Sequence, residues 1–269
     1  MSKIILTSVV LSALALPMGA QADEPPPPLT GNFGIFSNYI FRGVTQTSEK
    51  PAIQGGFDYA HIGGAKGHEG PTGLYAGIWG SNVSWLSDGA YAVGSSLELD
   101  LYGGYKGSFG KSDFGYDVGA IIYYYPGNNL PGTAAANTAE VYVGASWKWL
   151  SAKLFYATSN YFATTSSKGT YYVDVSANVP IGKTGITVLA HVGYLMVDGA
   201  FTAPGAAPGT SNDSVFGYND WKLGASYALP KDFVVGAFYT NTDAIAANYT
   251  YLNRQWSENQ FAVYVQKTF

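Results

Sequence analysis

The chain of 269 residues contains no cysteine, which excludes disulfides, thiolate chemistry and cysteine-based metal sites together. Charged side chains make up only 12% of it, with two arginines, Arg42 and Arg254, and three histidines, His61, His68 and His191. The net charge of −4 is small and dispersed, so no nucleic-acid partner is expected. Beyond residue 22 there is no apolar run of the length that a membrane helix needs. The histidines lack metal-ligand spacing. Neither Gly63-Gly64 nor Gly103-Gly104 opens a helix as a phosphate loop must. No cofactor or metal is therefore expected.

What the chain has in excess is 34 Gly, 22 Tyr, 14 Phe and 6 Trp, a composition far from that of an average soluble domain. Its start carries Lys3, an apolar run from Ile4 to Leu16, and Ala20-Gln21-Ala22, the small-x-small pattern that signal peptidase cleaves. That run, stopped by Pro17, is too short to span about 30 Å of hydrocarbon as a helix. Export with cleavage after Ala22 is expected. The prolines Pro25 to Pro28 then make residues 23–29 an extended lead-in.

Period-two alternation recurs through the rest. It predicts twelve strands: Asn32–Thr45, Pro51–His61, Gly73–Trp85, Tyr91–Gly104, Asp113–Tyr125, Thr138–Trp149, Ala152–Phe162, Gly169–Val179, Gly185–Val197, Tyr218–Leu229, Phe233–Thr242 and Gln260–Phe269. Most exceed the five or six residues usual in soluble sheets, and length of this order suits tilted strands crossing a bilayer. Leu97, Leu99 and Leu101 interleave with Glu98, Asp100 and Tyr102, and Val141, Val143 and Ala145 with Glu140, Tyr142 and Gly144. Alternation alone fits a sandwich with its polar face outward or a barrel with its polar face inward.

Three features favour the barrel. Aromatics near strand ends, Tyr39/Phe41, Trp79/Trp85, Tyr123 to Tyr125, Trp147/Trp149 and Tyr239, suit two interfacial girdles. The strand count is even. With the amino terminus in the periplasm, the long connections Asp198–Gly217 and Asp243–Asn259 fall outside and the short Leu150–Ser151 and Pro230–Asp232 fall inside. The inner connection Ile62–Thr72 is a long exception. The chain ends on Phe269, with Phe261, Val263 and Val265 on the same face, as in the closing strand of an outer-membrane barrel, and Phe269 is the expected assembly signal. The expected fold is all-β: a single closed antiparallel transmembrane barrel of twelve strands over residues 30–269. It would sit in the bacterial outer membrane, inserted by the barrel-assembly machinery, with lipid as its outer partner.

Ser37–Thr47, Lys50–Tyr59, Gly73–Val83 and Tyr123–Gly127 also resemble, in order, successive blocks of the TorF porin family. The similar segments lie within residues 33–145, and the second half matches in strand rhythm. The resemblance implies an outer-membrane barrel. Lys267, third from the end, departs from the apolar or aromatic residue usual there.

Charge within the predicted strands supplies the candidate lumen. Arg42 would point inward near the outer end of the first strand and needs a carboxylate partner. The lumen faces offer Asp58, Glu98, Asp100, Asp117, Glu140 and Asp174 against Arg42, Lys148, Lys153 and Lys222, a mildly acidic balance that favours cations weakly. The ion pair of Arg42 serves either to stiffen the wall or to select solutes. Twelve strands tilted about 40° enclose a backbone cylinder roughly 24 Å across, which tyrosine and phenylalanine side chains partly fill.

Catalysis is not expected. His61 closes a strand and His68 lies in the glycine-rich turn Gly63–Gly70. His191 should face the lumen, but a serine beside it would have to come from another strand. Thr202–Thr210 reads as a flexible outer loop, and Asn248–Trp256 either anchors at the interface or stacks on a sugar or peptide. The expected function is passive passage of small hydrophilic solutes. A closed structural or adhesive barrel that binds partners through its outer loops is the alternative.

Overall fold

A computed structural model describes residues 28–60, 73–89, 92–109, 112–251 and 253–269. Twelve strands close into one barrel: β1 (Leu29–Phe36), β2 (Ala52–Ala60), β3 (Gly73–Asn82), β4 (Leu97–Ser108), β5 (Phe114–Tyr124), β6 (Thr138–Trp147), β7 (Leu150–Ala157), β8 (Tyr171–Pro180), β9 (Ile186–Met196), β10 (Tyr218–Leu229), β11 (Phe233–Thr242) and β12 (Gln260–Thr268). Each strand pairs antiparallel with its neighbours in sequence, and β1 meets β12 from Asn32↔Thr268 to Phe36↔Tyr264. Gly31 and Phe269 extend that seam by exchanging two backbone hydrogen bonds of 2.7 and 2.9 Å. Closure leaves no open edge, which matters because an unpaired backbone group in hydrocarbon costs several kcal/mol. Among the described residues no helix is long and apolar enough to cross a membrane.

The polarity of the wall is inverted relative to a soluble protein. Leu74, Leu101, Leu223 and Phe261 are 63%, 50%, 56% and 62% exposed, while Glu98, Asp100 and Glu140 are 2%, 0% and 1% exposed. A sandwich in water would place these two sets the other way round. The outward face is thus a hydrocarbon-compatible belt and the inward face is charged.

Inside, tyrosine and glycine fit each other across strands. Tyr75 pairs with Gly104, Tyr102 with Gly77, Tyr142 with Gly119 and Tyr264 with Gly236. In each pair a Cβ added to the glycine would strike the tyrosine ring or hydroxyl. Each ring lies over the notch that the missing side chain opens, so these pairs repeat one packing device.

Short connections, 109–113, 148–149, 181–185 and 230–232, mark one end of the barrel. The longer ones, 37–51, 83–96, 125–137, 158–170, 197–217 and 243–259, mark the other, and by the usual asymmetry the latter face outward.

Several sequence expectations are corrected. The first strand stops at Phe36 instead of Thr45, and the second half of its alternating pattern forms a small hairpin, Ile40–Phe41 with Val44–Thr45. Its two-residue turn has Arg42 at φ 48° and Gly43 at φ 78°, the two positive angles that a tight type I′ turn requires. A side chain at Gly43 would also strike Asp220 and Thr242. The seventh strand likewise ends at Ala157 instead of Phe162. Leu29 begins the wall, and the carbonyl of Pro28 accepts from Ala60 at 2.8 Å, so the end of the lead-in belongs to the barrel. Of the aromatic girdle, Tyr124, Trp147, Trp149 and Tyr239 are exposed as expected, but Tyr39, Trp79, Trp85, Tyr123 and Tyr125 are buried inside. The signal segment 1–22, connection 62–72, His61 and His68 lie outside the described residues.

Candidate functional site: a loop pinned inside the lumen

Residues 37–51 leave the wall after β1 and turn into the barrel. Asn38, Tyr39 and every residue from Arg42 to Ser48 are buried. Polar residues dominate the segment, and each anchor finds a partner on a different sector of the wall. Asn38 Nδ2 donates to Gln260 Oε1 on β12 at 2.8 Å. The Tyr39 hydroxyl donates to Glu98 on β4 at 2.6 Å. Burial, and then the charge of Glu98, push that phenol well above its ordinary value, so it remains a donor.

Arg42 is the central anchor. Its Nη1 and Nη2 donate to the two carboxylate oxygens of Glu140 at 2.9 and 2.8 Å, and Nη1 also reaches the Tyr161 hydroxyl at 2.9 Å. The guanidinium carbon lies 4.4 Å from the centroid of Tyr172 and 5.1 Å from that of Phe155. A two-pronged carboxylate contact with rings on its faces is the environment that planar arginine tolerates best when removed from water. The Tyr218 hydroxyl donates to the Arg42 carbonyl at 2.8 Å. Outer loops hold the segment from above: Ser84 N donates to the Gln46 carbonyl at 2.8 Å, Thr45 N to that of Trp256 at 3.1 Å, and Ser48 Oγ to Asp88 at 2.6 Å.

Beneath the loop the lumen carries two further polar layers. In one, the Tyr172 hydroxyl donates to Asp220 at 2.8 Å, and His191 Nε2 lies 2.9 Å from the same carboxylate. His191 Nδ1 stands 3.2 Å from Asp174 and 3.1 Å from Ser176 Oγ, which itself donates to Asp174 at 2.7 Å. The other layer joins Lys153 Nζ to Asp117 at 2.6 Å, Tyr75 to Asp117 at 2.7 Å and Tyr102 to Asp58 at 2.6 Å, with Tyr75 and Tyr142 in close hydroxyl contact.

Of the candidate residues, Arg42, Asp58, Glu98, Asp117, Glu140, Lys153, Asp174, His191 and Lys222 are thus placed inside, Lys222 with its ammonium 5.4 Å from the centroid of Phe238. Asp100 is fully buried, with neither carboxylate oxygen partnered among the described residues. Lys148 is a correction. It occupies the two-residue turn after β6 at φ 53°, exposed, with its ammonium 4.8 Å from the centroid of Trp147. The strand ends two residues sooner than its alternation suggests, because the chain must reverse before Leu150 pairs with Trp147.

Arg42 reaches the lumen, but from the hairpin and not from a wall strand. The sequence reading missed Asp220, although it shares the inward face with Lys222. It also missed Lys106, which lies past the expected strand end, with its ammonium 4.9 Å from the centroid of Tyr75. Tyr39 reads in sequence as a girdle aromatic, and neither it, Tyr161 nor Gln260 is marked as an anchor, because nothing local shows which loop turns inward.

Ser176, His191 and Asp220 fall in a serine–histidine–acid order, but Ser176 already donates to Asp174. Ser176 also lies mid-strand, paired with Ser151 on one side and His191 on the other, where backbone N–H groups belong to the ladder and leave no oxyanion donors.

A closed barrel with an apolar exterior, a charged interior and one outer loop folded into its mouth is a transmembrane barrel of the outer-membrane type. The chain belongs to the Gcw_chp family, described as a bacterial protein of unknown function, which it matches over residues 20–269. No curated protein matches it. Among solved structures, the COG4313 outer membrane channel from Pseudomonas putida F1 is similar at 12% identity and a TM-score of 0.48, covering 91% of this chain and 97% of that one. Omp33 of Acinetobacter baumannii is similar at 6% identity and a TM-score of 0.43, covering 90% and 98%. Outer membrane phospholipase A of Escherichia coli is similar at 12% identity and a TM-score of 0.44, covering 89% and 91%.

Proposed function

We propose that the protein is a porin-like passive channel for small hydrophilic solutes across the bacterial outer membrane, with residues 37–51 as its closure element. The observation that carries this reading is the buried pair Arg42–Glu140, which ties a loop to the wall near the outer mouth of a lumen lined with charge. A barrel serving only as an anchor has no need of such a lining, since apolar packing fills an interior at lower desolvation cost. The carboxylates Asp58, Glu98, Asp100, Asp117, Glu140, Asp174 and Asp220 outnumber the inward cations Arg42, Lys106, Lys153 and Lys222, which supports a mild preference for cations. The resemblance to the TorF porin family agrees with this reading. Export by the amino-terminal signal with cleavage after Ala22, and insertion by the barrel-assembly machinery, complete the proposal.

The protein is not an enzyme in this reading, and His191 orders the lumen network. The burial of Asn38, Tyr39 and Arg42 to Ser48 inside the barrel favours a resting state of low conductance. It also gives weight to the second reading, a closed barrel that works through its outer loops. Planar-bilayer recording of refolded wild type and Arg42→Ala separates the two. Discrete conductance that rises in the variant supports the channel. Silence of both, with the variant correctly folded, overturns it.

A further inference from the structure

A cavity of about 420 Å³ lies where the inward hairpin meets the outer loops 158–170, 197–217 and 243–259. Phe41, Trp85, Phe162, Phe216, Tyr249 and Trp256 contribute to its lining, and no charged side chain does. Its volume falls in the range of about 300–1,000 Å³ typical of small-molecule sites.

Several polar groups around it are committed to the framework, while Trp256 Nε1 has no partner among the described residues. Asn248 Nδ2 donates to the Val215 carbonyl at 2.7 Å, and Asn212 Nδ2 to the carbonyls of Asp198 and Thr165 at 2.8 and 3.1 Å. The hydroxyls of Tyr249 and Tyr218 donate to the carbonyls of Phe216 and Arg42, both at 2.8 Å, and Gln46 Nε2 donates to that of Val44 at 3.0 Å. These bonds fasten the loops to one another, so the cavity is formed before anything enters it. They also leave ring faces and edges as its main offering. Phe216 and Tyr249 cross at 90°, and Tyr218 and Tyr249 at 88°.

A sugar needs several free donors and acceptors for its hydroxyls, and an ion needs a counter-charge. This cavity offers few of the first, Trp256 Nε1 among them, and lacks the second. Water is poorly held against such a lining, and a flat apolar molecule displaces it and packs on the rings. We infer that the cavity is a binding site for an uncharged aromatic compound, above the polar lumen and formed while the hairpin is held inward.

Titration calorimetry of the protein in lipid nanodiscs, with empty nanodiscs as reference, tests this at neutral pH with three probes: 2-naphthol, naphthalene-2-sulfonate and glucose. Saturable one-to-one binding of 2-naphthol is expected, with the sulfonate at least tenfold weaker and glucose silent. Ala203→Trp, on an exposed loop position that borders the cavity, should fill it and weaken 2-naphthol at least tenfold while leaving the barrel's heat-modifiable gel shift unchanged. Phe162→Ala should weaken it without filling the space. Heat equal to that of empty nanodiscs, equal binding by both variants, or preference for glucose or the sulfonate would each overturn the assignment.

Discussion

Arg42 and Glu140, 98 residues apart in sequence, meet through two hydrogen bonds of 2.9 and 2.8 Å at a place where both side chains are almost completely buried. One belongs to the inward hairpin and the other to the wall, so the pair measures how firmly the loop is held. Removing one partner of a buried pair strands the other and costs about 3–5 kcal/mol. Glu140→Gln and Arg42→Ala should each release the loop and raise single-channel conductance. The double variant should be no worse than either single one, which a double-mutant cycle on open probability checks.

Acid should loosen the same loop from above. Burial raises the Asp88 carboxyl, but hydrogen bonds from Ser48 and Ser84 outweigh it and hold the group below the usual range. A depressed folded-state value means that this bond stabilises the loop above the unfolded value of about 3.9. The stabilisation is lost as pH falls through the lower folded value. The contribution of Asp88 to conductance or Trp fluorescence, read as the difference between wild type and Asp88→Asn, should therefore be flat from neutrality down to about pH 4 and change below it. An acid response below about pH 4 that is identical in wild type and Asp88→Asn would assign it elsewhere.

Ion selectivity tests the charge balance of the lumen. In a salt gradient the Arg42→Ala channel should show a reversal potential on the cation side, and Asp58→Asn, which removes a carboxylate held by Tyr102, should reduce it. Anion selectivity would refute the assignment of these side chains to the conducting path.

The tyrosine–glycine fit predicts intolerance at a residue with no chemistry of its own. Gly119→Val must displace Tyr142, whose hydroxyl contacts Tyr75. Overpacking of this kind costs about 1–3 kcal/mol. A lower temperature for the heat-modifiable gel shift is expected, with the outward-facing Val118→Ala as the mild comparison.

Phe269 completes the seam through its backbone bonds to Gly31, and its ring lies 6.2 Å from that of Phe57. Its deletion should lower the membrane-inserted fraction without altering export. Lys267 does not disturb the seam, since its ammonium donates to the Lys231 carbonyl at 2.7 Å at the turn.

The wall was legible in the sequence because a barrel strand repeats every two residues and its faces differ in polarity. Leu97 to Tyr102 is the plainest case, since each inward residue there is buried. The same rule misled over the second half of the expected strand Asn32–Thr45, where alternation belongs to a hairpin inside the barrel. Period two reports an extended chain, not the sheet it joins. Arg42 could be identified as a buried cation needing a carboxylate, but the choice of Glu140 among six candidates depends on where the hairpin comes to rest. Lys148 failed for a smaller reason: a tight turn two residues early carried its side chain out of the lumen.

Residues 37–51 join the wall at β4 through Glu98, at β6 through Glu140, at β10 through Tyr218 and at β12 through Gln260. These sectors surround the axis, so the loop acts as an internal strut. Lateral pressure from the bilayer that would flatten an empty cylinder is carried across the bore by these bonds. A state in which the loop leaves the bore would give up these cross-bore bonds and leave the backbone ladder alone to hold the shape of the wall.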